Sequence, residues 1–394
     1  MKIAYIDPGL SRRSGHNAAM LAEFDEALVG ERGHALTVFG SARLDPREFA
    51  DLRAELRPAC RLDGYARPAA ADLADPARLD RLLQTVAEDL PPAQLAGFDA
   101  WLMPTVYPLH LLALARSAEH QRVPPALRSV LGMLLPCAFW ADDAASQQRV
   151  GEAFAAGVQG LAATTQAFAY SETGHFHFGA QRVALATLLP PLATANAGRL
   201  AGLAAASAAR DDRGPPTLGF FGTPFGSKGI QLLQQAAQAL AAAGRTPACR
   251  LRIRLPQGYA GLCQHLQQIA PWIDAQSRGT SNAEYLAEMA DVDAVWALYD
   301  PLHYGDKMSG IVPEALSLGK PVLVAEGCVA IQEFLERHAP GAFVAAGYDL
   351  ASVLAVLALA PADWQPARRC ARSHAPLVQQ LKGMDRYLAV CGIH

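Results

Sequence analysis

Charged residues make up only 18% of this 394-residue chain, and nowhere do Lys and Arg form a long run. A nucleic-acid surface, which needs a basic stripe against phosphates, has little support. Arg12 and Arg13 in the first loop are better read as a local anion contact. The seven cysteines are scattered and include no C-x-x-C pair, a pattern of free thiols in a reducing compartment rather than a disulfide framework. No apolar stretch approaches the ~20 residues that span a bilayer. The opening run 2–6 is too short for a signal sequence and meets Asp7 at once, so a soluble, cytoplasmic protein is expected. G-x-S-x-G and H-E-x-x-H are both missing, which leaves hydrolase chemistry without an anchor. The first loop lacks G-x-G-x-x-G spacing, which argues against a nicotinamide site.

Apolar residues, by contrast, reach 51%, enough for large buried surfaces. At this length two α/β domains are the natural expectation. A strand at 2–6, a Gly/Ser/Arg loop at 7–15, an amphipathic helix carrying Met20, Leu21, Phe24, Ala27 and Leu28, and a strand at 35–39 open a doubly wound sheet. Further strands are expected at 100–103, 129–135, 161–164 and 183–188. Pro190-Pro191 and the Ala-, Gly- and Asp-rich stretch 193–216 then mark a boundary, although 200–209 itself reads as helix. The alternation restarts with strands at 217–221, 250–255, 294–298 and 321–325, and helices at 230–243, 283–290 and 330–338. These divisions give an N-terminal domain at 1–191, a linker at 192–216, a C-terminal domain at 217–374 and a last helical segment at 375–394 packing back on the first domain. Two such halves are expected to face each other across a cleft, with their strand C-termini toward it. Residues 45–92 read as a variable, charged insertion with no motif.

The most informative stretch is 299–316, YDPLHYGDKMSGIVPEAL, between an apolar strand and a helix-like run. Ser309-Gly310 at a helix start presents backbone N–H groups suited to an anion. Asp306 and Glu314 flank the turn with seven residues between them. If Ser309 begins the helix, Glu314 lies well over one turn in. A second turn, 222–229, follows the strand at 217–221 and ends in Ser227-Lys228-Gly229. It is not a P-loop, because Gly does not precede Lys228 and Ser/Thr does not follow it. Alone it is an ordinary strand-to-helix turn; beside the Ser309-Gly310 turn it reads as a phosphate loop with Lys228 as a point charge.

For the loop 11–17, two readings stand level: a solvated basic loop, or one where Gly15 lets a phosphate or sugar approach with His16 at the helix start. His110 follows a strand on the same side and is either functional or packed on its helix. Asp291-Val292-Asp293 has the look of a metal-holding D-x-D but runs into the N-terminal end of a strand, and is read as a turn. His175 and His177 lack a third ligand at metal spacing and are read as surface histidines.

At Lys228 and the Asp306–Glu314 turn, the second half resembles the donor-binding domain of retaining glycosyltransferases of the GT-B fold, the group 1 or family 4-like enzymes. The acidic residue, seven residues, then Glu pattern is matched with Asp306 in place of the usual Glu, and Gly319-Lys320-Pro321-Val322 follows in order. The resemblance covers roughly 217–338, and the N-terminal half only by layout. It implies two Rossmann-like domains and transfer of a sugar from a nucleoside-diphosphate sugar, with retention and without metal or cofactor, to a glycan, lipid-linked glycan, small-molecule or protein acceptor. Peripheral membrane contact is compatible with it. Carried over, Glu314 would bind ribose hydroxyls, Ser309 and Gly310 the diphosphate through their backbone, and Lys228 would neutralise it. Gly15, Gly222, Thr223, Met308 and Ile311 complete the donor set, and Asp306 would meet the sugar. Thr223 stands where the family usually has Arg, and the 134–136 region offers no His near the reacting carbon, leaving His16 or His110 to substitute. A GT-B sugar-nucleotide epimerase, for which Asp142-Asp143 are further acid/base candidates, and a non-catalytic sugar-nucleotide-binding or scaffold protein are the competing readings.

Overall fold

The computed structural model describes all residues except 14, 66–69, 122–127, 135–136, 179–180, 210–214 and 394. The chain divides into two units, Met1–Thr194 with Lys382–His394, and Ala195–Leu381.

In the first unit seven parallel strands lie in the order β3-β2-β1-β4-β5-β6-β9. They are β1 (Lys2–Asp7), β2 (Ala35–Ser41), β3 (Glu55–Cys60), β4 (Ala100–Val106), β5 (Arg128–Leu134), β6 (Gln166–Ser171) and β9 (Ala186–Thr187). Between the last two, β7 (His175–Phe178) and β8 (Gln181–Ala184) form an antiparallel hairpin. All seven residues of β4 are buried, as a parallel strand covered on both faces requires. Alternation along β1 sends Ile3 and Tyr5 into one core cluster and Ala4 and Ile6 into the other.

Three expectations change here. The strand expected at 161–164 is the last turn of a helix, Ala144–Thr164. A short apolar run does not by itself distinguish strand from helix. Gly157 within this helix reflects packing: a Cβ there would stand 2.5 Å from Leu111 Cγ on the helix Pro108–Gln121. The stretch expected at 183–188 is divided between β8 and β9. The segment 45–92 also carries regular structure, for it contributes β3 at the sheet edge and the helix Pro76–Asp89. The 134–136 region in part lies outside the described residues.

The second unit holds six parallel strands in the order β12-β11-β10-β13-β14-β15. These are β10 (Thr217–Phe221), β11 (Arg250–Leu255), β12 (Ile273–Ser277), β13 (Ala294–Ala297), β14 (Val322–Ala325) and β15 (Phe343–Ala346). Two of them, β12 and β15, lie outside the strands expected from sequence. In both sheets the order runs back from the first strand and then forward from the fourth. The reversal falls between β1 and β4 in one unit and between β10 and β13 in the other. Loops leaving the C-terminal ends of such a strand pair form the crevice where doubly wound sheets bind ligands.

The boundary stretch contains a helix, Thr194–Ala208. The helical segment read at 375–391 is two helices: Pro361–Leu381 ends in the second unit, and Met384–Cys391 belongs to the first. There Tyr387 stacks edge-on with Phe24 at 5.4 Å and shares a 2.5 Å hydroxyl–hydroxyl hydrogen bond with Tyr170. Among the described residues no single helix is long and apolar enough to cross a membrane.

Candidate functional site

At the C-terminal end of β10 the chain turns at Gly222, makes one 3-10 turn over Gly226–Lys228, and enters the helix Ile230–Ala242 through Gly229. Gly229 has φ +75°, and a Cβ there would stand 2.5 Å from the Leu298 carbonyl oxygen, so both backbone conformation and contact call for glycine. The close approach brings the β10 and β13 loops together. The Asp300 N–H donates to the Ser227 carbonyl at 2.8 Å, and Trp296 Nε1–H to the Lys228 carbonyl at 3.2 Å. The Lys228 ammonium lies 5.9 Å from the Tyr299 ring centroid and 3.6 Å from where a Cβ on Gly222 would be. Burial, and then the charge of Lys307, lower the Lys228 pKa to about 8.

After β13, Asp300 caps a one-turn helix, Pro301–Tyr304, accepting from the Leu302 N–H at 3.0 Å with Pro301 in the first turn. That turn brings Tyr304 back onto Tyr299, ring centroids 4.5 Å apart and 40° between planes. The Lys307 ammonium lies 5.1 Å from the Tyr304 centroid. Asp306 is exposed, whereas Met308 is buried.

Ser309 does not begin the next helix, contrary to the sequence reading. Its hydroxyl donates to Tyr299 Oη at 3.4 Å, and the helix Ile311–Ser317 starts behind Gly310, which has no side-chain cap. Glu314 therefore sits in the first turn instead of beyond it. There the positive end of the helix dipole favours a carboxylate. Tyr285, on the helix Asn282–Ala290, donates its hydroxyl hydrogen to Glu314 Oε2 at 2.7 Å. A Ser281/Glu284 capping box fixes the start of that helix. The Tyr285 ring rests edge-on against Phe221, the last residue of β10, at 5.8 Å. Burial and the Glu314 carboxylate hold the Tyr285 hydroxyl well above its ordinary pKa, so it remains a donor.

Nine of the twelve candidate residues thus fall on two adjacent loops of one unit. Gly222, Thr223 and Lys228 follow β10; Asp306, Met308, Ser309, Gly310, Ile311 and Glu314 follow β13. Sequence reasoning missed Tyr285, Tyr299, Tyr304 and Lys307, whose contacts depend on chain turns that residue spacing does not specify. Asp291 and Asp293 lie before β13, at the opposite end of that strand. Asp293 accepts from the Thr217 N–H at 2.7 Å and pairs with Arg368 at 2.8 Å; Asp291 pairs with Arg252 at 2.5 Å. Among the described residues no cluster of three or more His, Cys, Asp or Glu is arranged to hold a metal ion.

The other three candidates lie in the first unit. Gly15, at φ +87°, precedes the helix His16–Phe24, and His16 is its exposed first residue. His110 is only 2% exposed and packs edge-on to Tyr107 at 5.9 Å, and burial lowers its pKa to about 4. It is a neutral core imidazole at physiological pH. Asp143 caps the helix Ala144–Thr164, accepting from the Ser146 N–H at 2.9 Å. A cluster unremarked in sequence surrounds Asp7, the last residue of β1. Tyr107, Asn17 and the Gly9 N–H all donate to its Oδ1, at 2.9, 2.9 and 3.1 Å. Burial pushes the Asp7 carboxyl up to about 6, against those donors.

No protein-family model matches the sequence, and no curated protein matches it. Solved structures do match over its whole length. The spinosyn rhamnosyltransferase SpnG is 16% identical with TM-score 0.55, covering 99% of this chain and 100% of its own. The α,α-trehalose 6-phosphate synthase from Burkholderia multivorans is 13% identical with TM-score 0.60, covering 99% and 96%. The UDP-forming α,α-trehalose-phosphate synthase from Burkholderia xenovorans is 14% identical with TM-score 0.58, covering 100% and 99%. These neighbours are GT-B glycosyltransferases, and the parallel sheets of this chain match their two Rossmann-like domains. The chain has the GT-B fold.

Proposed function

We propose that this protein is a glycosyltransferase that moves a sugar from a nucleoside-diphosphate sugar to an acceptor, with retention and without a metal ion. The observation that carries this reading is that the two loops at the β10/β13 switch point supply both a cation, Lys228, and a carboxylate held by a tyrosine, Glu314. Cation and carboxylate suit the two ends of one ligand, the phosphates and the ribose hydroxyls. Two structural neighbours lend support from their own chemistry. SpnG has been solved with thymidine diphosphate, and the Burkholderia xenovorans enzyme forms UDP.

In this reading Glu314 accepts from ribose hydroxyls while Tyr285 occupies its other side. Lys228 lies against the diphosphate, with the Ser309–Ile311 N–H groups before the first helical turn as further donors. Departure of the diphosphate breaks the bond from the anomeric carbon to the phosphate oxygen and leaves the electron pair on that oxygen. A cation already in place stabilises the growing charge without reorganising. An acceptor hydroxyl attacking the face from which the diphosphate leaves passes its proton to the leaving oxygen, which gives retention. Asp306, exposed beside the loop, is assigned to donor-sugar hydroxyls, and the first unit to the acceptor.

Incubating the protein with UDP-, thymidine diphosphate-, GDP- and ADP-sugars and following diphosphate release with and without candidate acceptors tests the reading. Acceptor-dependent release supports transfer. Nucleotide binding without any release supports the non-catalytic reading instead. The anomeric configuration of the product decides between retention and inversion.

A further inference from the structure

Thr223, where the glycosyltransferases that the second half resembles usually carry Arg, is neutral, and a diphosphate leaving group carries more charge than one lysine balances. A second ammonium group reaches this region from the other loop. Lys228 lies over Tyr299 at 5.9 Å and Lys307 over Tyr304 at 5.1 Å, and the two rings are themselves in contact at 4.5 Å. The ring pair thus links two lysines on the loops that follow the two strands at which the sheet order reverses. We propose that Lys307 is the second cation of the diphosphate subsite, contacting the phosphoryl group that Lys228 does not. This inference rests on the donor reading above and adds to it a residue that binds the leaving group.

Electrostatics points the same way. The Lys307 charge adds to burial in making the protonated form of Lys228 less favourable. Like charges repel in the unliganded protein, and an anion of two or more charges lying between them removes the cost. A nucleoside has no such anion, and a monophosphate spans the pair less completely. The competing description is that Lys307 only rests its stem on Tyr304, a common surface arrangement of modest energy. The two descriptions differ in what happens when phosphates are added one at a time.

Isothermal titration of wild type, Lys307→Gln, Lys307→Arg, Lys228→Gln and Glu314→Ala with UDP and thymidine diphosphate, and with the matching monophosphates, tests the proposal. Thermal melting of each unliganded variant checks folding. For Lys307→Gln the expected result is about tenfold weaker diphosphate binding, the size of one lost charge-assisted contact. Monophosphate binding should fall by less than about threefold, with Lys307→Arg restoring most of the diphosphate affinity. Equal losses for diphosphate and monophosphate, or no loss for either, overturn the assignment of Lys307. If Lys228→Gln and Glu314→Ala still weaken binding in that case, the donor reading stands alone. Absence of nucleotide binding by wild type overturns both.

Discussion

Tyr285 donates its hydroxyl hydrogen to Glu314 Oε2 at 2.7 Å across 29 residues of sequence. The tyrosine sits on a capped helix and against the end of β10; the carboxylate sits in the first turn of the helix that follows the β13 loop. This hydrogen bond therefore ties the carboxylate to the strand that leads into the Lys228 loop. Replacing Tyr285 by Phe keeps the ring contact with Phe221 and removes only this bond. Nucleoside-diphosphate affinity is expected to fall about tenfold, the lower end of the worth of a hydrogen bond to a charged group. Calorimetry measures the fall, and near-ultraviolet circular dichroism checks that the packing is kept.

Gly229→Ala is expected to destabilise the second unit by more than about 2 kcal/mol, since it forces a side chain into a left-handed conformation and against a backbone carbonyl. The Leu298 oxygen, 2.5 Å from the added carbon, belongs to the chain that leads into the Tyr299 turn, so both loops would be displaced. Urea unfolding reads the stability, and nucleotide affinity should fall with it.

Donor binding should weaken as pH rises from 7 to 9. The free Lys228 ammonium titrates near 8, lowered by burial and Lys307, so its cation is lost as pH passes that value. A bound diphosphate favours the charged form and raises that pKa, so binding takes up protons on the alkaline side. Titrations in buffers of different ionisation enthalpy measure the uptake. Lys228→Gln should flatten this pH dependence as well as weaken binding.

Asp7 carries a prediction about stability alone. Its carboxyl titrates at about 6 in the folded chain against an ordinary value of 3.8. Below 3.8 it is protonated in both states. As pH rises from 3.8 to 6 the unfolded chain ionises first and stability is lost; above 6 the loss is complete, at about 3 kcal/mol. Asp7→Asn retains an oxygen able to accept from Tyr107, Asn17 and Gly9 and carries no charge. The variant's stability relative to wild type should therefore improve between pH 4 and pH 7, read from urea unfolding at both.

What residue order disclosed was local. The strands β10, β13 and β14 are short apolar runs bounded by turn residues, β11 alternates Arg with Leu and Ile, and their alternation with helices was enough to give a doubly wound half. Lys228 and Glu314 were legible because each lies in the turn just after such a strand or the helix behind it. Tyr285 with Glu314, and Asp7 with Tyr107 100 residues away, were not, because those pairings exist only once the sheet is assembled. Lys307 stood within the stretch singled out, but its relation to Lys228 depends on a single helical turn folding Tyr304 onto Tyr299. The same limit made the end of the helix Ala144–Thr164 read as a strand: its Gly157 lets Leu111 approach, and nothing nearby in sequence announces a partner 46 residues earlier.

The central claim is that the second unit binds a nucleoside diphosphate through Glu314 and Lys228. Calorimetric titration of the intact chain with UDP, thymidine diphosphate, GDP and ADP in turn, repeated with Glu314→Ala, tests it most directly. The account predicts saturable one-to-one binding of at least one of these by wild type, weakened tenfold or more in the variant. Failure of all four to bind wild type, or equal affinity for a folded Glu314→Ala protein, would contradict it.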